Sequence, residues 1–170
     1  MYNYLKSHLF ITIAFLILLT LVCLIFSLAL TNNTLVYALD DPYIHMSTVK
    51  HFVEQGIWSV DGKTYASASS SPLWVFALSP FYLVFGAKLF IGIPFALNIL
   101  FQIFTISLIF RLVKIYCNKD IHFLFGIILI LLVPFISLSL GGMEHSLQIL
   151  LVVCLISTFL SYIDKPESRT

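Results

Sequence analysis

Charged residues are scarce in this chain of 170 residues, where Asp, Glu, Lys and Arg together make up 10%. A soluble globular domain carries about 25%, so the composition excludes that class. Hydrophobic residues account for 60% and the mean hydropathy is +1.03, which excludes a disordered segment because such segments lack apolar residues. The net charge of +1 provides no basic surface for nucleic acid. What remains is a protein that crosses a membrane several times.

Cysteine is also rare, with Cys23, Cys117 and Cys154 only. No Cys-x-x-Cys pair and no Cys/His spacing of the zinc-binding kind is present. We therefore expect neither a structural zinc site nor a disulfide framework. The first apolar run, 9–30, is longer than the roughly 7–15 residues of a signal-peptide core, and no Ala-x-Ala cleavage pattern follows it. We interpret it as a retained transmembrane helix.

Long apolar runs predict an all-α polytopic membrane protein. A bilayer core about 30 Å thick requires roughly 20 apolar residues in a helix, and inside it each segment must satisfy its own backbone amides. The runs that qualify lie at 9–30, 89–110, 123–140 and 146–163.

A fifth apolar segment, 72–85, is short for a span and leaves two topologies open. If it spans, Arg111 falls on the same side as the long polar loop; if it re-enters or lies flat, Arg111 falls on the opposite side. The positive-inside rule favours the second arrangement, and Pro80 fits a bent or shallow helix. We predict a multi-pass cell-membrane protein with both termini cytoplasmic, a single membrane domain over 1–163 and a cytoplasmic tail at 164–170.

The outer loop, 31–71, is predicted to hold one short helix. Asp41 followed by Pro42 is typical of a helix start, with an N-cap acid and proline at the first helical position. Gly56 is typical of the residue just after a helix end. The pattern predicts an amphipathic helix over 42–55 that lies on the membrane surface.

Asp40 and Asp41 form the main candidate site because two adjacent carboxylates lie at the outer mouth of the first span. Ionisable groups at a membrane edge are functional candidates. A carboxylate here is suited to act as general base on an acceptor hydroxyl, or to help hold a divalent cation through oxygen ligands. The structural alternative is that Asp41 caps the next helix and Asp40 is solvated.

A second candidate is the Gly-Gly-Met-Glu-His segment that ends in Glu144 and His145, on the same predicted face. The alternative is that Glu144 complements the dipole of the last helix and His145 is an interfacial polar residue. The outer loop adds His45, Lys50 and Lys63, which are suited to attract a phosphate group. For these residues the alternative is a solvated amphipathic face.

Three short blocks resemble the GT-C superfamily of membrane glycosyltransferases, the polyprenyl-phosphate-sugar-dependent enzymes of the arabinosyl-, mannosyl- and aminoarabinose-transferase kind. Residues 40–45, Asp-Asp-Pro-Tyr-Ile-His, are similar to the acidic pair that opens the family's first outer loop. Residues 70–74, Ser-Ser-Pro-Leu-Trp, resemble the stretch that opens its second juxtamembrane helix. Residues 142–147, Gly-Met-Glu-His-Ser-Leu, resemble the stretch that leads into its fourth span.

The resemblance implies that a sugar moves from a polyprenyl phosphate in the outer leaflet to an acceptor hydroxyl, with inversion at the anomeric carbon. It implies that Asp40 is the general base, Asp41 its polar partner and Lys63 the basic residue for the leaving phosphate. The remaining substrate-binding candidates are His45, Lys50, Glu144 and His145. The resemblance covers only the N-terminal part of such an enzyme, so we expect a fragment, a degenerate copy or a split enzyme that needs a second chain.

Two other functions compete with this interpretation. The first is a non-catalytic integral membrane protein, either an assembly subunit or a truncated remnant. The second is a small transporter or channel subunit, which the sequence disfavours. The interiors of the predicted spans contain no Asp, Glu, Lys or Arg, whereas transport sites usually place such residues near the midplane.

Overall fold

The computed structural model describes residues 2–116 and 122–163, and within these ranges the chain is helical with no β-strand. The predicted tail 164–170 and Cys117 lie outside the described residues. The helices are α1 Tyr2–Leu30, α2 Asp41–Gln55, α3 Pro72–Phe90, α4 Ile93–Tyr116, α5 His122–Leu132, α6 Phe135–Gly141 and α7 His145–Ile163. The predicted all-α class is confirmed for the part of the chain that the structure describes.

Several of these helices are long and apolar enough to cross a membrane. Over the described ranges there are four, at Ser7–Leu30, Pro72–Phe90, Ile93–Lys114 and His145–Ile163. The number agrees with the prediction, but the set differs in one member. The segment that begins at Pro72 passes the test of length and composition, whereas the predicted span 123–140 is not one continuous helix.

The interruption of the predicted span 123–140 occurs at Pro134. Helices α5 and α6 meet there at an angle of 43°, because proline has no N–H to donate and its ring collides with the preceding helical turn. A side chain of α4 contacts the backbone just after the break, since Gln102 Nε2 donates to the Phe135 carbonyl at 2.8 Å. If the bent pair is one span, the count of candidate spans rises to five.

Helix α3 extends past the predicted end of the segment 72–85 and reaches Phe90. Gly86 lies inside it with φ 66° and ψ 172°, a conformation that only glycine adopts readily, so the chain kinks there. The following predicted span, 89–110, therefore begins later, at Ile93, and continues past Arg111.

Helix α3 packs lengthwise against α2. Val49 of α2 shares one buried cluster with Trp74 and Leu78, and the Tyr82 hydroxyl, midway along α3, donates to the Glu54 carboxylate near the end of α2. Past the kink the chain folds back, and the rings of Tyr82 and Phe90 lie 5.0 Å apart. The first half of α3 is thus held by α2, and its last residue folds back onto Tyr82.

Helices α1 and α5 run in the same direction. Gly126 of α5 packs against Thr12 of α1 so closely that an added Cβ would lie 2.2 Å from Thr12 Oγ1. One turn further along both helices, Leu16 and Ile130 share a second buried cluster. Because residue numbers increase along both helices from the first contact to the second, the two helices are parallel.

Helices α4 and α7 are also parallel. Gln102 Nε2 donates to Ser146 Oγ at 3.0 Å, and further along both helices Arg111 and Cys154 line the same groove.

Helix α4 runs opposite to α5, because Gly126 of α5 packs on Phe110, whereas Phe135, after α5, contacts Gln102, earlier in α4. The end of α1 and the starts of α4 and α7 therefore lie at one end of the bundle, together with α2. We call this the loop end, and the other, which contains Arg111, the opposite end.

Candidate functional site

The His45 ring is the point at which the distant parts of the loop end meet. Its Nδ1 lies 2.9 Å from Ser69 Oγ, and its Nε2 lies 3.8 Å from Glu144 Oε2. The His45 and Glu144 side chains are 1% and 7% exposed. The block 40–45, the residue just before the block 70–74, and the block 142–147 are thus brought together at one buried imidazole.

The start of α2 presents both aspartates to solvent. Asp40 occupies the N-cap position and its side chain makes no capping hydrogen bond, so the prediction that Asp41 is the N-cap is wrong by one residue. Asp41 lies in the first turn beside Pro42, and both carboxylates are exposed. Asp41 precedes His45 by four residues, which places the two on neighbouring positions of one helix face.

The end of α2 matches the prediction. Gly56 follows the last helical residue with φ 71°, and its backbone N–H donates to the carbonyls of the preceding turn. The helix length is thereby set by a cap at its C-terminal end, and Asp40 is held at its N-terminal end by backbone bonds alone. The Asp40 carbonyl accepts the N–H groups of Tyr43 and Ile44 at 2.9 and 3.1 Å.

Glu144 caps the start of α7 with its backbone and points its side chain inward. Its carbonyl accepts the N–H of Gln148 at 3.0 Å, and Gln148 Nε2 lies 3.4 Å from Glu144 Oε1. His145 is exposed, with Nδ1 3.2 Å from Gln148 Oε1. The two neighbouring residues therefore have different surroundings: Glu144 faces His45 and His145 faces solvent.

A polar network in α4 fixes the start of α7. Gln102 is fully buried and, besides the bonds to Phe135 and Ser146, its Oε1 accepts a bond from Ser139 Oγ at 3.1 Å. Hydrogen bonds of this kind join helices where apolar packing alone does not distinguish their positions. Because Ser146 is two residues from Glu144, the network also locates the Glu144 carboxyl group.

Tyr37 was not singled out from the sequence, yet it joins three parts of the loop end. Its hydroxyl donates to the Ile91 carbonyl at 2.6 Å and accepts the Phe95 N–H at 3.2 Å. Its backbone N–H donates to the Tyr43 hydroxyl at 2.8 Å. Burial raises the pKa of the Tyr37 hydroxyl above its ordinary value, so the hydroxyl keeps its proton for the Ile91 carbonyl. No motif identified it, because tyrosine at a membrane surface is also typical of an interfacial belt.

Gly142 makes the close approach of Tyr37 to the last loop possible. It has φ 66°, and a Cβ at this position would lie 2.6 Å from the Tyr37 ring. We expect Gly142→Ala to lower stability by about 2 kcal/mol or more, since alanine brings both strain and a clash. Gly141→Ala is the matched control, because a Cβ there meets nothing within 4 Å. Thermal unfolding of the purified protein in detergent measures both, and equal melting temperatures for the two variants would contradict the assignment.

The charge of His45 depends on opposing effects. Burial of the ring lowers the pKa of His45, and the Glu144 and Asp41 carboxylates raise it only in part. The folded pKa therefore lies below the value of about 6.5 that an unfolded histidine has. Below that value the unfolded chain takes up a proton that the folded chain resists, so acid destabilises the fold through this residue.

We expect the melting temperature to fall by a few degrees as the pH is lowered from about 7 through the unfolded pKa of about 6.5. His45→Asn should flatten this dependence, because asparagine retains an amide near the Nδ1 position and does not titrate. His145→Asn, at the exposed neighbour of Glu144, should keep the wild-type profile. Thermal unfolding over a pH series tests this, and an unchanged slope in His45→Asn would assign the acid sensitivity elsewhere.

The structure does not bring Lys50 and Lys63 to the aspartates. Lys50 is exposed, on the side of α2 away from the buried His45. Lys63 is exposed in the loop whose turn is held by Asp61, which accepts the Lys63 N–H at 2.9 Å. That turn packs on His51, which is about 15 Å along the helix from Asp41 at 1.5 Å per residue.

No metal centre is formed by the side chains of residues 7–114 and 122–163, where no cluster of three or more His, Cys, Asp or Glu residues is placed to hold an ion. A divalent cation at Asp40 and Asp41 remains a prediction, and it would need oxygen ligands from a substrate or water in addition.

Comparison with known proteins adds no relative: no family model, no curated protein and no solved structure matches this chain.

Proposed function

We propose that this chain is a GT-C-type glycosyltransferase, or the N-terminal part of one, that transfers sugar from a polyprenyl phosphate to an acceptor at the outer face of the membrane. The observation that supports this most is that two of the blocks, and the residue just before the third, meet at His45. The blocks are far apart in the sequence, and each resembles the family separately. This convergence on one ring, in the helix that Asp40 and Asp41 open, is what a shared site at the loop end requires.

In this proposal the loop end faces the outside and both termini are cytoplasmic. Most Lys and Arg residues belong to the opposite end or to the chain segments that follow it, as the positive-inside rule requires of the cytoplasmic side. Lys50, Lys63 and Lys88 belong to the loop end, whereas Arg111 and Lys114 belong to the opposite end. Lys6 lies near the start of α1, and Lys119, Lys165 and Arg169 are in the sequence outside the described residues. Helix α3 is then an outer-face element despite its length, because its first half packs on α2 and its last residue leads directly into the start of α4.

Asp40 is the residue we propose as the general base. Its carboxylate accepts the proton of the acceptor hydroxyl while the acceptor oxygen forms a bond to the anomeric carbon. The bond from that carbon to the phosphate oxygen breaks, and polyprenyl phosphate leaves. Asp41 is the polar partner that helps to orient the acceptor or a cation.

His45 and Glu144 are positioning residues in this proposal, because their side chains are buried. The pair joins the first turn of α2 to the start of α7 and so sets where Asp40 lies. A small displacement of a catalytic group is costly to rate, which gives the pair a functional role without contact with the sugar. The exposed His145, beside this pair, is the residue we propose for the leaving phosphate, and Lys63 is the second candidate.

The proposal is tested by a transfer assay with membranes that contain this chain. Polyprenyl phosphates labelled in the arabinose, mannose or aminoarabinose unit are supplied as donors, and loss of the labelled donor is followed. The assay is run with this chain alone and together with the products of adjacent genes, since later spans complete the donor pocket in the family. Donor consumption that requires this chain supports the proposal.

A non-catalytic membrane subunit is the alternative, and the burial of His45 and Glu144 also fits a purely structural contact between helices. That function predicts no donor consumption in any combination, while the chain still purifies with a partner membrane protein. The two functions are thus separated by the same set of membranes.

A further inference from the structure

A groove between α4 and α7 lies outside the site described above. It has a cavity volume of about 310 Å³ and is lined by Phe104, Ser107, Leu108, Arg111, Leu150 and Cys154. The residues of α4 are three and four apart, so they form a single helix face. The walls are mostly apolar, and the Ser107 hydroxyl donates to the Ile103 carbonyl of its own helix at 2.7 Å. Arg111 is therefore the charged donor of the groove.

The length of α4 places Arg111 at a bilayer surface. Arg111 follows Ile93 by 18 residues, which is about 27 Å along a helix at 1.5 Å per residue. Because a bilayer core is about 30 Å thick, a helix that begins at one surface brings Arg111 to the headgroups of the other. The rest of the groove, from Arg111 back to Phe104, then lies among acyl chains of that leaflet.

Arg111 is exposed and makes no ion pair or hydrogen bond within the described residues. A guanidinium at the headgroup level, at the mouth of an apolar groove, is complementary to a phosphate that carries an acyl chain. We propose that this groove binds an anionic phospholipid of the leaflet opposite the loop end, with one acyl chain between α4 and α7 and the phosphate on Arg111.

The size of the groove supports a lipid chain over a protein helix. A volume of about 310 Å³ is at the lower limit of small-molecule pockets, whereas a helix with its side chains is about 10 Å wide. A polyprenyl-phosphate donor is also disfavoured, because its sugar must be at the loop end, the far surface from Arg111. The lipid site itself is inferred from the groove and from Arg111, so it stands whether or not the chain transfers sugar.

The experiment is native mass spectrometry of the full chain released from micelles that contain phosphatidylglycerol and phosphatidylcholine with the same acyl chains. The wild type should retain phosphatidylglycerol in preference to phosphatidylcholine. Arg111→Gln should reduce the ratio of the two bound lipids about fivefold, the equivalent of about 1 kcal/mol for one basic group. Lys88→Gln is the matched control, an exposed basic residue at the loop end, and should leave the ratio unchanged.

A second variant tests the groove itself. Leu150→Trp should fill the space between the helices and lower retention of both lipids, with the melting temperature in lipid-free detergent unchanged. A wild-type lipid ratio in Arg111→Gln, or full lipid retention in Leu150→Trp, would overturn the proposal. It would also be overturned if Cys154, which is exposed, cross-linked two copies of the chain in lipid bilayers, since the groove would then be a protein interface.

Discussion

Replacement of Asp40 by asparagine is expected to lower the rate of sugar transfer by roughly 10²- to 10⁴-fold, the usual contribution of a general base. Asparagine retains the size and the backbone bonds of Asp40 but cannot accept the proton of the acceptor hydroxyl. Stability should change little, because the Asp40 side chain is exposed and makes no capping bond. The measurement is loss of labelled donor in the membrane assay, with the amount of folded protein determined in parallel.

Glu54→Gln is the control for Asp40→Asn. Glu54 lies at the other end of α2 and accepts a hydrogen bond from the Tyr82 hydroxyl, which a glutamine oxygen also accepts. The variant removes one carboxylate from the same helix without touching the proposed site, so transfer should persist. Asp41→Asn is expected to have a smaller effect than Asp40→Asn. Undiminished transfer in Asp40→Asn would exclude Asp40 as the base and, with it, the roles assigned by resemblance.

The helical architecture was predictable from the sequence because membrane-length apolar runs have few alternatives. The exact bounds and continuity of the helices were less predictable. Hydropathy alone treats 123–140 as uniform, and the break appears only when the missing N–H of Pro134 is considered. Hydropathy likewise ends the segment at 85, before Gly86 and Lys88, whereas α3 continues past both. A lysine ends an apolar run in the sequence, but near a helix end its side chain can keep its charge in water without ending the helix.

The candidate site was predictable in its residues but not in their arrangement. His45 and Glu144 were both identified, from motifs 99 residues apart, and a contact between them follows from helix packing that no local pattern encodes. Ser69 and Tyr37 were missed because serine and tyrosine are unremarkable in a loop at a membrane surface. Lys63 was chosen as a basic residue of the same loop. Its separation from Asp41 results from the turn at Asp61, which packs on His51 far along α2 and which the sequence did not reveal.

Replacement of His45 by alanine is expected to destabilise the fold by about 3 kcal/mol, the largest effect on stability that we predict. The change leaves a cavity in a packed region, and it leaves Ser69 Oγ buried without its hydrogen-bond partner. Glu144→Ala should have a similar but smaller effect, because the His45 ring keeps its bond to Ser69. Thermal and denaturant unfolding in detergent measure both changes, and His145→Ala is the exposed control, expected to change stability by less than about 0.5 kcal/mol.

The double variant His45→Leu with Glu144→Leu separates the structural role of the pair from its role in positioning. Replacement of a buried polar pair by apolar residues of similar volume is often neutral or stabilising, so the double variant should be more stable than either alanine variant. Sugar transfer should nevertheless remain below that of the wild type, because leucine side chains pack without the directional contacts that fix Asp40. If the double variant is stable and transfers sugar at the wild-type rate, the pair only holds α2 to α7, and the placement of Asp40 is set by Tyr37 and the backbone of the loop.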